Sequence, residues 1–273
     1  MQVAAHRARR PRTQERTMTT SRTIRLDGAL LHVTLDRKGE GRPLLLLHGG
    51  AGPASMRPLF GALENFELIL PTHPGFDGTE RPAWMDSVAD LADCYVALLA
   101  ELALQDVLLV GNSVGGWIAA EMAARQPPSL AGIIAVDTVG LQPTERTGPI
   151  VDPRSLPPEE LAKRSFANPA MARPPSPEAA ALRQANQQVL MAYAGEPYMH
   201  DPTLSERLSR ISVPSLVLWG SHDRVVTPEY GREFARQIPH ARFQLIDDAG
   251  HLPQIERPEQ TAQAIRDFSH TVA

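Results

Sequence analysis

The stretch Asp106-Val107-Leu108-Leu109-Val110-Gly111-Asn112-Ser113-Val114-Gly115-Gly116 decides how the rest of the chain is read. Its first half is a continuous apolar run of strand length, the mark of a strand buried on both faces. A second apolar stretch follows, and it predicts a helix over residues 114–125. Ser113 therefore stands on a strand–turn–helix corner in the pattern Gly-x-Ser-x-Gly. Such a corner forces the serine into a strained backbone conformation, and residues 111 and 115 must be small because neighbouring backbone crowds the turn. The hydroxyl then projects above the sheet at a helix N-terminus, where the dipole favours developing negative charge. A glycine-rich helix start that serves only packing is the plainer alternative. A phosphate loop is disfavoured, because no Lys-Ser or Lys-Thr pair follows.

The same alternation extends in both directions. Upstream, residues 22–27 and 30–35 alternate apolar and polar around Asp27-Gly28, which predicts a β-hairpin. Residues 43–47 and 66–70 read as strands. Residues 87–103 read as a helix with Val88, Leu91, Tyr95, Leu98 and Leu102 on one face. Downstream, strands over 133–136, 215–219 and 242–246 alternate with helices over 228–237 and 258–270. This order implies crossover units: an α/β fold with a mostly parallel twisted sheet flanked by helices.

The alternation stops between 141 and 205, where prolines from Pro143 to Pro202 exclude long helices and central strands. One helix is expected there, over 178–194, with Leu182, Ala185, Val189 and Ala192 on one face. We read the segment as a small Pro-rich helical cap inserted after the sixth strand. The expected organisation is a disordered tail over 1–20, a core formed by 21–140 and 206–273, and a cap over 141–205.

Composition removes several classes. The 273 residues suffice for one core without disulfides. A formal charge of −4 gives no global positive field for nucleic acid or an anionic membrane, and 5% aromatics argues against a base-stacking surface. No apolar run approaches the roughly 20 residues that cross a bilayer. The N-terminus carries five arginines by position 16 and no apolar core, so a secretory signal is not expected. It is faintly like an organelle transit peptide; a tail, or an extension upstream of Met18, is the simpler reading. The single cysteine, Cys94, lies in a helical pattern with no basic neighbour and reads as a buried structural thiol. A reducing, cytoplasmic location fits this usage.

Four further residues join Ser113 as candidates. The loop His48-Gly49-Gly50-Ala51-Gly52 follows the 43–47 strand, and the backbone N–H groups of Gly50 and Val114 are candidate donors to a tetrahedral oxyanion. His48 is read as bracing that loop. His251 follows a strand, at the sheet end where open α/β sheets place their sites. Asp223, on the loop after strand 215–219, is the candidate to orient the histidine. Asp137, at the end of strand 133–136, is its rival. Asp247 and Asp248 are too close to His251 in sequence, and His222 reads as a loop residue. Nothing supplies a clustered metal-ligand set.

The order Ser113, Asp223, His251 and the motifs around them resemble the α/β-hydrolase superfamily over roughly residues 22 to 270. The turn His73-Pro74-Gly75-Phe76-Asp77-Gly78 is similar to the loop after that family's fourth strand, and residues 218–223 and 249–253 are similar to its acid and histidine motifs. The resemblance implies a serine hydrolase acting through an acyl-enzyme on a small-molecule acyl substrate, with no metal or organic cofactor. Family dehalogenases and epoxide hydrolases carry aspartate where this chain has Ser113. The elbow Gly-Asn-Ser-x-Gly-Gly and the loop 48–53 resemble hydrolases that cleave carbon–carbon bonds of aromatic ring-fission products, although Leu252 stands where those enzymes usually have tryptophan. Carboxylic-ester hydrolysis therefore ranks first and carbon–carbon hydrolysis second. Proline iminopeptidases, which share a His-Gly-Gly loop, rank third, and a non-catalytic small-molecule receptor of the same fold stays open. The cap and loop 48–53 are expected to set specificity; Arg154, Arg164, Arg173 and Arg183 could bind a substrate carboxylate, but solvated surface arginines are the preferred reading of each.

Overall fold

The computed structural model describes residues 16–26 and 28–272. Its centre is a sheet of eight strands: β1 (Met18–Leu26), β2 (Ala29–Lys38), β3 (Arg42–Leu47), β4 (Phe66–Pro71), β5 (Val107–Asn112), β6 (Leu130–Val136), β7 (Ser215–Gly220) and β8 (Arg242–Ile246). Their spatial order is β1-β2-β4-β3-β5-β6-β7-β8. β1 and β2 form an antiparallel hairpin, β2 runs antiparallel to β4, and every later pairing is parallel.

The unbroken apolar runs are explained by burial on both sides. Leu45, Leu47, Leu109, Ile133, Ala135, Val217 and Trp219 point into one core. Their neighbours Leu44, Leu46, Leu108, Val110, Ile134, Leu216 and Leu218 point into the other. Side chains alternate across a strand, so only a run that is apolar at every position can satisfy two cores.

The helices that close these cores start where the sequence supplies caps. α1 (Pro58–Ala62) and, near the C-terminus, α8 (Pro253–Glu256) and α9 (Pro258–Ser269) begin on prolines, as does α7 (Pro228–Gln237). α2 (Val88–Glu101) begins on a capping box between Ser87 and Asp90. α3 (Val114–Ala124) is buried almost all round, and its acid Glu121 is neutralised by Arg125 at 3.0 Å and Arg207 at 2.6 Å. Leu91, Tyr95 and Leu98 of α2, Trp117 and Ile118 of α3, and Tyr230 and Phe234 of α7 fill the first core. Leu59 of α1 and Ile265 and Phe268 of α9 fill the second.

Two expectations are corrected. The hairpin is longer than the sequence pattern suggested: β1 starts at Met18, so residues 18–20 belong to a strand and not to a tail. Their alternation is weak because β1 is an edge strand with largely exposed residues. Residues 1–15, and Asp27 of the expected turn, lie outside the described residues. Between β6 and β7 the chain also forms more helix than the single one expected. α5 (Pro177–Ala194) matches it, but α4 (Pro158–Ser165) precedes it and α6 (Leu204–Leu208) follows. Prolines sit in the first turns of α4 and α5, where they start helices instead of breaking them.

Substitution should separate core from edge. Leu109→Ala, at a fully buried position, should lower unfolding free energy by about 2–5 kcal/mol. Leu30→Ala, at a side chain 60% exposed, should change it by no more than about 0.5 kcal/mol. Urea titration of both variants measures the contrast.

Candidate active site

The elbow forms because backbone meets backbone. A Cβ on Gly111 would fall into the carbonyl of Gly115, and a Cβ on Gly115 into that of Leu47 at the end of β3. With side chains excluded on both flanks, β5 turns directly into α3. Ser113 is left at the corner with φ 56° and ψ −121°, a left-handed conformation that a non-glycine residue adopts only under constraint. Its N–H is fixed by Val136 O at 2.9 Å.

The loop after β3 lies against this corner. A Cβ on Gly49 would come within 3.0 Å of the Ser113 Cβ, and a Cβ on Gly50 within 2.5 Å of Leu190 Cδ2 on α5. The loop after β3 is thus pressed between the elbow and the helix above it. Among the described residues, neither the Gly50 nor the Val114 backbone N–H has an internal hydrogen-bond acceptor. Two free donors beside a serine at a helix N-terminus can receive a developing negative charge.

Behind the loop, two buried rings stack, with centroids 3.6 Å apart. His48 Nε2 accepts from the His73 backbone N–H at 3.0 Å, so its proton is on Nδ1 and goes to Gly49 O at 2.8 Å. His73 Nε2 donates to His48 O at 2.8 Å, and its Nδ1 accepts from the Tyr95 hydroxyl. Burial lowers His73 to about 4. Burial, and then the neighbouring ring, hold His48 well below the usual histidine range. Neither ring is a base for chemistry at neutral pH; both are struts that fix the loop.

At the other side of the elbow, His251 Nδ1 and Asp223 Oδ2 are 2.8 Å apart, with both residues buried. Asp223 Oδ1 accepts from the N–H groups of Val225 at 2.8 Å and Val226 at 3.1 Å. Asn112 Nδ2 donates to His251 O at 3.1 Å, which ties the histidine loop to the residue before Ser113. The structure therefore brings Asp223, and not Asp137, onto the ring. With Nδ1 committed to Asp223, Nε2 is the nitrogen left for chemistry. No hydrogen bond joins it to the Ser113 hydroxyl in this structure, a separation common before substrate binds.

Sequence reasoning missed the support of the histidine loop. Glu256 is buried and accepts from Gly250 N at 2.6 Å, Ala167 N at 3.1 Å and Asn168 N at 3.1 Å. His251 N donates to Ser165 O at 2.8 Å. The segment at the end of α4 is thus bonded to the loop that carries the histidine. On α5, Asn186 and Asp77 exchange two hydrogen bonds of 2.8 Å, and Tyr193 donates to Pro74 O at 2.9 Å. No local signal marks Glu256 or Asn186, because their partners are 88 or more residues away in the chain for all but Gly250.

Several other candidates are exposed, paired elsewhere or committed inside the protein. His222 is exposed beside Ser221, and Asp247 and Asp248 are exposed. Arg154, Arg173 and Arg183 are exposed, with Arg154 paired to Asp152 at 2.6 Å; Arg164 pairs with Glu160 at 3.4 Å. Cys94 is buried, and burial pushes its thiol up to about 12, so it is no nucleophile. Asp137, Asp223 and His251 bring ligand atoms within 4.8 Å of one another. They do not suit a resident cation, because both Asp223 oxygens, His251 Nδ1 and Asp137 Oδ1 are already committed inside the protein. Among the described residues no helix is long and apolar enough to cross a membrane.

The neutral histidines make a testable demand. Their protonation in the folded state is depressed, so between about pH 6.5 and 4 the unfolded chain binds more protons and stability falls as pH drops. His73 alone should cost about 2 kcal/mol by pH 5. Nitrogen chemical shifts at pH 5 should still report His48 as the Nδ1–H tautomer and His73 as the Nε2–H tautomer.

Comparison with known proteins places the chain in a family. Residues 44–264 match the model of the alpha/beta hydrolase family. Lipase 3 of Moraxella sp. is 29% identical over 247 residues, covering 84% of this chain and 77% of that one. A 2-hydroxymuconate semialdehyde hydrolase of Pseudomonas putida is 28% identical over 253 residues, covering 86% and 89%. Among solved structures, a thermophilic esterase from Thermogutta terrifontis superposes with TM-score 0.75 at 27% identity, over 93% of this chain and 98% of that one. The sheet order, the elbow and the family match lead to one conclusion: this chain belongs to the alpha/beta hydrolase family.

Proposed function

We propose that the protein is a serine hydrolase that cleaves a carboxylic ester of a small molecule through an acyl-enzyme on Ser113. The observation that carries the reading is the strained corner of Ser113, set between two unpaired backbone N–H groups and next to a loop whose histidine is hydrogen-bonded to a buried carboxylate. In the first step His251 Nε2 takes the Ser113 proton and Oγ attacks the acyl carbon. The Gly50 and Val114 N–H groups hold the oxyanion. Asp223 keeps the ring in the Nδ1–H tautomer and stabilises the imidazolium. The C–O bond to the alcohol then breaks, and His251 returns its proton to the leaving oxygen. Water, deprotonated by the same ring, attacks the acyl-enzyme and releases the acid and free Ser113.

The lipase named above and the T. terrifontis esterase support ester chemistry. The P. putida relative, named for cleavage of a semialdehyde ring-fission product, supports a second reading in which the bond broken is carbon–carbon. Leu252, adjacent to the histidine, favours the ester reading over the second. Leu190, pressed on Gly50 from α5, puts an apolar side chain of the proposed cap directly above the oxyanion loop, so acyl chain length is expected to be selected there.

Ser113→Ala should lower kcat by about 10³-fold or more while leaving the fold intact. A fluorophosphonate should label the wild-type protein at Ser113 and leave the alanine variant unlabelled; an adduct elsewhere, or none, contradicts the mechanism. Parallel assays with short and long p-nitrophenyl esters and with a ring-fission dienoate separate the two readings, since turnover of the dienoate alone would favour carbon–carbon cleavage.

A further inference from the structure

Beside the Asp223–His251 pair stands a second carboxyl that the proposed mechanism does not use. Asp137 follows β6 with φ 44°, its N–H bonded to Leu218 O at 3.0 Å, and its side chain is wholly buried. Its Oδ1 accepts from Gly220 N at 2.9 Å. Among the described residues its buried Oδ2 has no hydrogen-bond partner. Ligand atoms of Asp137, Asp223 and His251 lie within 4.8 Å of one another.

Two carboxylates this close, away from water, cannot both stay ionised at low cost. A single proton between them removes the repulsion and gives the unpaired oxygen a partner. Their neighbours decide where it resides. Asp223 accepts from two backbone N–H groups and from the His251 ring, and each of these donors favours its ionised form. Among the described residues Asp137 has only the Gly220 N–H as donor. The charged groups that bear on Asp137 are the acids Asp223 and Glu256, with the His251 ring beside them. Among the described residues no arginine or lysine is paired with it. Burial first, and Asp223 second, push its carboxyl well above the usual carboxylate range.

We propose that Asp137 is a positioning residue that carries a proton at neutral pH and donates a hydrogen bond from Oδ2 to the Asp223 carboxylate. The acid behind His251 is then a carboxyl pair bearing one negative charge. The donated bond pins Asp223 between the end of β6 and the 223–226 turn, and His251 faces one anion instead of two. The inference rests on reading Asp223 and His251 as the acid–base pair of the hydrolase.

The test uses the full-length protein and two substitutions. Asp137→Asn keeps a donor toward Asp223 and an acceptor toward Gly220, whereas Asp137→Leu removes both. Infrared difference spectra of the wild type at pH 8 should contain a protonated-carboxyl band that shifts in deuterium oxide and is missing from Asp137→Asn. In ester assays Asp137→Asn should stay within about threefold of wild-type kcat/KM, with the midpoint of the acid limb of its pH profile unmoved. Asp137→Leu should lose roughly 10- to 100-fold, as when an outer hydrogen-bond partner of a site residue is removed. The proposal is overturned if no such band distinguishes wild type from Asp137→Asn. It is also overturned if the acid limb of Asp137→Asn moves to lower pH, the consequence of deleting a real negative charge beside the histidine. Equal losses in both variants count against it too. The infrared band reads the proton without turnover, so a chain that hydrolyses nothing would defeat the proposed function and still leave this test decisive.

Discussion

Gly111 and Gly115 have no room for a side chain, and the whole site follows from that contact. The turn between β5 and α3 is pressed against the last carbonyl of β3, so the backbone at residue 113 must reverse in a space too small for an ordinary turn. Ser113 takes a left-handed conformation as a result. The same reversal aims the first N–H of α3 at the space above the sheet and brings Gly49 against the serine. A larger residue at 115 would push α3 away from β3 and separate the serine from the Gly50 N–H together. The strain at one residue is held by packing on both faces of the sheet, and so the fold's stability and the site's geometry have one source.

A second layer of bonds holds what surrounds the elbow. The loop after β3 is braced from beneath by two neutral histidines, each with both ring nitrogens satisfied. The histidine loop is held from the side by Glu256 and by Ser165 O. From above, α5 is fixed through Asn186 to Asp77 and through Tyr193 to Pro74. The end of α4 is therefore bonded to the loop that carries His251, while α5 is bonded to residues 74–77 and packs on Gly50 through Leu190. A change in those helices reaches His251 through backbone hydrogen bonds, and it reaches Gly50 through Leu190. This arrangement holds the supporting loops in place, while the hydrogen bond between Ser113 and His251 is still to be made.

The acid side of the site shows how burial sorts similar groups. Asp137 and Asp223 both follow sheet strands, both are buried, and both sit near His251. They differ in the donors around them. Among the described residues three donors converge on Asp223 and one on Asp137.

The sequence alone determined the strands, the elbow and the glycine loop. Strands buried on two faces must be apolar at every position, and a crowded turn must lack side chains; both constraints act locally and leave a local pattern. Residues 18–20 and α4 escaped that reading. An edge strand needs little apolar alternation, and a proline looks the same whether it starts a helix or breaks one. The motif at 218–223 made Asp223 the candidate ahead of Asp137, but which carboxylate meets His251 was decided only by tertiary structure, since the two occupy equivalent places after adjacent strands. The same holds for Glu256 and Asn186. Their partners lie on distant segments, and a hydrogen bond across such a gap depends on how the sheet is ordered and what packs on it, which no stretch of adjacent residues encodes.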